Sequence, residues 1–389
     1  MSAQITFYPV GNGDMTLLEL EGNISVLIDC NIRGKADDAD DDSARDVAQD
    51  LRDALNRDDD DRLYVDAMVL SHPDADHCAG LRNHFHLGAP DTWVKNDDKI
   101  VIREMWSSAI VFRRASKKGL VLNEDAKAWA KEARRRVKRF RDGLSPSDGN
   151  RISILGEDED GKTDDLGDIL IKVGENITAV NGDDSVALTA RLIGPIPDSE
   201  VGEEDEDTFS KNNSSIILNF SIEADGEPLA CKFLTGGDAE VEIWKAVWAR
   251  EKDNNGVLEY DLLQAPHHCS WHSLSSDSWS QSDDPQIDDD AFSALSQALP
   301  GAKIISSSNP IEDNDVDPPC IGAKEAYEDI DNCSDFYCTE EYPEEDEPEP
   351  LIIEITDEGT SLGRKIAAST IGSVGIGATT STPRDHGFK

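Results

Sequence analysis

Apolar residues gather along this chain in short runs bounded by Gly, Asn, Asp and Pro, as buried strands do, and between them lie stretches with helical spacing. Ile5–Val10, Thr16–Leu20 and Ile24–Cys30 read as three strands joined by glycine-containing turns. Val65–Leu70 reads as a buried strand, and further strands are expected at Ile169–Val173, Val186–Ile193, Ile216–Phe220, Leu229–Thr235, Asp261–Ala265 and Ala302–Ser308. Helical patterns fall around Ser43–Asn56, from Ala79 to Phe85, from Asn123 to Arg141, from Ala239 to Arg250 and over 291–299. Two groups of strands with helices between them suit an α/β fold of the four-layer αββα sandwich type. The stretch 94–165 reads as a helical, basic insertion in a main domain spanning 1–338. Residues 339–350 read as an acidic linker, Leu351–Ile355 as an edge strand, and the Ser/Thr/Gly-rich tail after Gly359 as mobile.

The chemistry concentrates where the Val65–Leu70 strand ends, in Ser71-His72-Pro73-Asp74-Ala75-Asp76-His77. Alternate residues of an extended segment point the same way, so His72, Asp74 and Asp76 can converge before His77 opens the next helix. Imidazole nitrogens and carboxylate oxygens suit borderline and hard divalent ions, so the cluster reads as a zinc or manganese site. A plain surface turn, with one Asp capping the helix, would need only one of these four side chains. Histidine usage points the same way: seven of the eight fall within His72–His86 and His267–His272. Gly236-Gly237 bends the chain so that Asp238 projects from a strand end, and Pro266 breaks another strand to present His267 and His268.

The ordered pieces Val10-Gly11-Asn12-Gly13-Asp14, Val26-Leu27-Ile28-Asp29, His72-x-Asp74-x-Asp76-His77, Leu234-Thr235-Gly236-Gly237-Asp238 and Ala265-Pro266-His267-His268-Cys269-Ser270 resemble the metallo-β-lactamase fold superfamily. Asp74 stands where that family usually has a second His, and this variant is similar to the branch related to the nuclease-like domain of DNA-uptake channel proteins. The resemblance implies a hydrolase holding one or two Zn2+ or Mn2+ ions, with Asp29 bracing the ligand loop without binding metal. Gly11 and Gly13 let Asp14 approach the same place. Asp76, His77 and one of the pair His267/His268 are assigned to one ion, His72 and Asp74 to the other, and Asp238 bridges. His267 is taken as the ligand, which leaves His268 and His272, beside Asp76, as catalytic candidates. Asn213 and Ser214, in an Asn/Ser run like that branch's, and Ser270 are the expected substrate contacts. The superfamily usually supplies another His between its second and fourth motifs, yet none occurs from Gly88 to Pro266, so the His72/Asp74 ion lacks a ligand.

Composition narrows the substrate. With 81 acidic against 37 basic residues the formal charge is -44, a load best tolerated where salt screens it, which suggests a halophilic source, the alternative being a mesophilic protein with disordered acidic loops. Such a surface repels long nucleic acid unless a local cationic patch dominates, and seven of the eleven residues Lys131–Arg141 are basic. They could line an approach for a polyanion or neutralise neighbouring acids within the fold. Seven cysteines without a Cys-x-x-Cys pair, no charged leader and no long apolar run suggest a reduced, cytoplasmic protein with no membrane association. The expected activity is hydrolysis of a phosphodiester, in nucleic acid or a nucleotide, by a metal-bound hydroxide. The alternatives are hydrolysis of a small ester, lactone or thioester, and a non-catalytic metal-stabilised interaction module.

Overall fold

A strand with large apolar residues on both faces must be covered on both sides, and the strands of this chain split their side chains accordingly. Leu18, Val26, Ile28 and Val69 enter one core with Phe233, Leu262 and Ile305, while Leu17, Leu27 and Met68 enter a second and Leu234, Leu263 and Ile304 a third. Three cores between four layers are an αββα sandwich, in the computed structural model that describes residues 3–37, 44–117, 119, 121–184, 186–197 and 212–363. In chain order the strands are β1 (Ala3–Phe7), β2 (Thr16–Leu20), β3 (Ile24–Ile28), β4 (Tyr64–Val69), β5 (Phe85–His86), β6 (Ile100–Ser107), β7 (Arg151–Leu155), β8 (Leu170–Ile171) and β9 (Asn176–Ile177). They continue with β10 (Leu188–Gly194), β11 (Ile217–Ala224), β12 (Glu227–Thr235), β13 (Tyr260–Gln264), β14 (Ala298–Ser306), β15 (Cys333–Cys338), β16 (Leu351–Thr356) and β17 (Gly359–Leu362).

One sheet runs β17-β16-β1-β2-β3-β4-β6-β7-β8, with β5 beside β6, and the other β15-β14-β13-β12-β11-β10-β9. From β3 to β8 the first sheet is parallel, as is the second from β12 to β15. The outer layers hold helices α1 (Val47–Ala54), α2 (Ala75–Cys78), α3 (Leu81–His84), α4 (Ala109–Lys117) and α5 (Glu124–Arg141) on one side. Helix α6 (Val241–Glu251) and the helices Asp289–Leu295 and Ile321–Glu328 cover the other. The carboxyl ends of β3, β4, β12, β13 and β14 lead into loops joined by backbone hydrogen bonds, among them Ile216 N to Ser71 O (3.0 Å), His267 N to Gly237 O (2.9 Å) and Asp14 N to Asp76 O (3.2 Å). Ligands of α/β folds gather at such strand ends.

Three expectations change. The stretch 94–165 is no insertion, because β6 lies between β4 and β7 in the first sheet and α4 and α5 lie in the crossover that joins β6 to β7. The polar content of this stretch hid two strands. Leu351–Thr356 is not an edge either: β16 pairs with β1 on one side and β17 on the other, so the segment after the acidic linker completes the first sheet. Helix α1 begins at Val47 rather than near Ser43, since the Asp46 side chain caps it by accepting from Gln49 N. The acidic loop at 198–207 and the tail from 364 lie outside the described residues.

Within the basic helix, Arg136 is buried and donates to Glu132 and to the carbonyls of Ile102 and Arg151, while Arg135 pairs with Glu132, Lys138 with Asp142 and Arg141 with Asp165. Most of its cations thus neutralise acids or carbonyls of the fold.

Candidate metal centre

Each side chain of the centre is delivered by a strand end. Asp29 follows β3 in a left-handed conformation (φ 57), which Asp tolerates better than most residues. Its Oδ1 accepts from Ser71 N (2.7 Å), and its Oδ2 accepts from Ser71 Oγ (2.5 Å) and from His77 Nδ1 (2.7 Å). All three partners are buried. With Nδ1 held toward Asp29, the neutral ring carries its lone pair on Nε2, the tautomer a metal ligand needs once a cation displaces the proton there. His72 Nδ1 lies 3.1 Å from Ser71 Oγ, and His268 Nδ1 lies 3.1 Å from Ser307 O, to which it donates. The Nε2 atoms of His72, His77 and His268 are therefore directed elsewhere, and all three are buried without a hydrogen-bond partner.

They are directed at Asp238. This carboxylate follows β12, is almost wholly buried, and has its amide fixed by Ser215 Oγ (3.1 Å). Its Oδ1 lies 3.0 Å from His77 Nε2 and 3.5 Å from His268 Nε2; its Oδ2 lies 3.4 Å from His72 Nε2 and 3.8 Å from His267 Nε2. Asp76 Oδ2 is 3.7 Å from His268 Nε2, and Asp74 Oδ2 is 3.7 Å from His72 Nε2. Asp74 occupies the cap position of α2 without making a capping hydrogen bond, so the plain-turn explanation does not use its carboxylate. Asp74 and Asp76 are partly exposed, whereas the three imidazoles are not. A buried floor of imidazole and carboxylate therefore opens toward solvent through two further carboxylates.

The electrostatics call for positive charge here. Burial would push the Asp238 carboxyl up, but His77, His268 and His72 around it hold it well below the usual carboxylate range. Burial likewise disfavours a charged His77, yet Asp238 and Asp29 raise its pKa well above the ordinary value. Orphaned nitrogens facing a carboxylate that needs a cation are what a divalent ion would satisfy, so the residues fit a metal.

Asp14 reaches the centre because Gly13 packs tightly against the ligand loop: a Cβ there would stand 2.0 Å from Asn31 Nδ2 and 2.7 Å from Asp76 O. Asp14 lies within the cluster of His77, Asp238 and His268, but its oxygens face the Nδ1 atoms of His77 (3.8 Å) and His268 (3.5 Å) rather than Nε2. That suits a brace better than a ligand. His267 and His268 come from consecutive left-handed residues, with φ 52 and 54, followed by Cys269 at φ 64. Such conformations cost of order 1–3 kcal/mol each in non-glycine residues and persist where the surroundings impose them.

Three expected substrate contacts are corrected. Ser270 is fully buried, and its hydroxyl donates to Asp317 Oδ1 (2.7 Å) and accepts from His272 N (3.1 Å). Asn213 is spent on Glu240, donating to Oε2 (3.2 Å) and accepting from its N–H (3.0 Å), and Ser214 is buried beside it. These side chains build support, not a substrate surface. His272 is about half exposed, with Nε2 3.8 Å from Asp317 Oδ2. Cys78 and Cys269 are buried, and burial pushes the Cys78 thiol up to about 12, as expected of packing residues. Sequence reading gave Ser71 no role of its own and missed Ser307, whose backbone carbonyl orients His268 from a position with no motif of its own.

No protein-family model matches the chain, and no curated protein does. Among solved structures, Igni18, a metallo hydrolase from the hyperthermophilic archaeon Ignicoccus hospitalis, superposes with a TM-score of 0.35 at 11% identity, covering 90% of this chain and 99% of that one. No helix among the described residues is long and apolar enough to cross a membrane.

Proposed function

We propose that this chain is a metal-dependent hydrolase and that its substrate is a phosphodiester. The observation that carries the metal is the convergence of three buried, unpartnered Nε2 atoms on one buried carboxylate, each ring's other nitrogen already engaged. His72, His77, His268, Asp238, Asp74 and Asp76 would hold the cation. Bound there, a divalent ion supplies a nucleophile from water at neutral pH and polarises the oxygen of the group attacked. The carboxylates Asp74, Asp76 and Asp238 make the donor set harder than an all-imidazole one, which accommodates manganese as well as zinc and suits the oxygens of a phosphoryl group.

The chain's own residues do the rest. Asp29, Ser71 and Ser307 fix the imidazole tautomers, and the partial exposure of Asp74 and Asp76 leaves the centre open on one side for substrate. His272, exposed and facing Asp317, is the candidate to hand a proton to the departing alkoxide. The motif His72-x-Asp74-x-Asp76-His77, similar to that of the DNA-uptake nuclease branch, favours a phosphodiester over a carboxylic ester. The charge of -44 and the internal pairing of most α5 cations favour a nucleotide or short oligonucleotide over long nucleic acid. The test is hydrolysis of bis-nitrophenyl phosphate and of labelled oligonucleotides, with nitrophenyl esters and thioesters in parallel, for wild type and Asp238→Asn. Phosphodiester turnover that stops on chelation and in the variant is expected. Turnover confined to acyl substrates would overturn the substrate class, and chelator-resistant turnover the metal.

A further inference from the structure

Residues three and four apart share a helix face, so Arg139 and Phe140 lie on the side of α5 that carries the buried Arg136. Arg136 is spent on Glu132 and on backbone carbonyls. Arg139 is not: it makes no hydrogen bond or ion pair among the described residues, and its Nε is buried. Arg151, the first residue of β7, likewise makes no side-chain hydrogen bond among them, and its Nε is buried too. Both guanidiniums line one cavity of about 450 Å³, whose apolar wall includes Phe140, Leu144 and Ile177. A buried N–H without an acceptor costs stability, and the fold bears that cost twice around a single space.

A turn holds Arg151 in place. Val180 and Asp183 exchange backbone hydrogen bonds of 3.0 Å, with Asn181 and Gly182 left-handed between them (φ 51 and 77), as an Asn-Gly turn requires. Glu104 Oε2 accepts from Asn181 N (2.6 Å) and Asp148 Oδ1 accepts from Asn181 Nδ2 (2.9 Å), which anchors the turn. A Cβ on Gly182 would stand 2.7 Å from Arg151 Nη1 and 2.8 Å from its Cζ, so a larger residue would push the guanidinium away. Two carboxylates share the lining, Glu104 and the exposed Asp168. The Arg151 charge counters part of the burial that raises the Glu104 pKa, but the Glu104 oxygens bond Ser153 Oγ (2.7 Å) and Asn181 N instead.

The cavity is remote from the metal centre. Helix α5 starts beside the ligand loop, where Asn123 Nδ2 meets Cys78 Sγ at 3.3 Å, and a rise of 1.5 Å per residue puts Arg139 about 24 Å further along the axis. Arg151 opens β7, which runs parallel to β6 and β4, so it lies at the sheet edge opposite the strand ends that carry the metal ligands.

We propose that this cavity is a second ligand site, for a small phosphomonoester whose phosphate sits between Arg139 and Arg151 and whose apolar or aromatic body lies against Phe140, Leu144 and Ile177. Guanidinium forks pair bidentately with phosphate oxygens. The nearly dianionic head of a phosphomonoester at pH 7 matches two cations where a carboxylate matches one, and a cavity of this size encloses a small organic body. The ligand ties the end of α5 to the start of β7 and so stabilises the fold by mass action. The site stands without the hydrolase reading, since none of these residues belongs to the Asp238 cluster.

The test uses phenyl phosphate as probe, in titration calorimetry and thermal denaturation of chelator-treated protein, so that no metal-bound phosphate contributes. Millimolar phenyl phosphate should bind wild type and Asp238→Asn equally and raise the unfolding midpoint of both. Arg139→Gln should weaken binding about tenfold or more. Arg151→Lys, which keeps the charge near Glu104 but loses the fork, should weaken it several-fold with circular dichroism unchanged. Benzoate and inorganic phosphate should each bind more weakly than phenyl phosphate. Binding that both arginine variants leave unchanged, or that Asp238→Asn abolishes, would overturn the site, as would neither heat nor midpoint shift in wild type. Benzoate binding as tightly as phenyl phosphate would overturn the phosphate head, and inorganic phosphate binding as tightly would overturn the apolar body.

Discussion

Replacing Asp29 with Asn tests how the buried carboxylate selects the histidine tautomer. Asn is close to isosteric and tolerates the left-handed backbone at φ 57, so the change is confined to the side-chain donors and acceptors. Asp29 accepts three hydrogen bonds, from Ser71 N on Oδ1 and from Ser71 Oγ and His77 Nδ1 on Oδ2. If the new NH2 group took the Oδ1 place it would face the Ser71 N–H donor to donor, which costs about 1–3 kcal/mol for a buried unpaired group. If it takes the Oδ2 place it faces His77 Nδ1, which must then accept. The ring proton moves to Nε2, 3.0 Å from Asp238 Oδ1, where the protein gains a hydrogen bond and loses the lone pair that would bind metal. In the metal-free protein, where Asp29 and Asp238 hold His77 charged, the change removes one buried counter-charge and should cost about 1.5–3 kcal/mol of stability, while affinity for the ion at His77 falls about 10–100-fold. Titration calorimetry or competition with a chromophoric chelator measures the affinity, urea denaturation of the chelator-treated protein measures the stability, and nitrogen-15 NMR of the imidazoles reads the tautomer. Affinity within about twofold of wild type, with His77 still protonated at Nδ1, would refute the reasoning.

Three further outcomes follow from the same geometry. Gly13→Ala places a methyl against Asn31 Nδ2 and Asp76 O; displacement of the Asp14 loop should destabilise the fold by about 1–3 kcal/mol and weaken metal binding, both read by denaturation with and without metal. Arg136→Met removes a buried guanidinium that serves Glu132 and three backbone carbonyls; a loss of about 3–5 kcal/mol in urea denaturation, with metal stoichiometry unchanged in the fraction that folds, would mark α5 as a structural helix. Raising KCl from 0.1 to 1 M shortens the Debye length from about 10 to about 3 Å, so with a charge of -44 the urea midpoint should rise with salt; a flat or falling midpoint would show that self-repulsion does not limit stability.

Much of the site was legible because its residue types are chemically expensive and locally clustered. His72, Asp74, Asp76 and His77 crowd one strand end, and Asp238 projects after a Gly-Gly bend, a pattern that turn formation alone does not require. The placement of His267 and His268 was not legible, because it depends on three successive left-handed residues that no local propensity favours and that only tertiary contacts impose. Ser307 escaped for a similar reason: a backbone carbonyl carries no signal in the sequence until folding sets it beside His268. The positions of strands were clear where continuous apolar runs marked both faces as buried. They were obscured in β6, whose Arg103 and Glu104 bond Asp66 and Ser153 inside the sheet and made a central strand look polar. Asn213, Ser214 and Ser270 read as substrate contacts because small polar residues near a metal loop offer hydrogen bonds, but Asn213 and Ser270 are bonded within the protein and Ser214 is buried.

The most direct test of the central claim is anomalous diffraction from crystals grown with Zn2+ or Mn2+, recorded on either side of the metal's absorption edge. The expected map has strong peaks bonded to Asp238, one reached by His77 and His268 and the other by His72. Crystals that bind the ion elsewhere, or that leave the space around Asp238 without an anomalous peak at saturating metal, would contradict it.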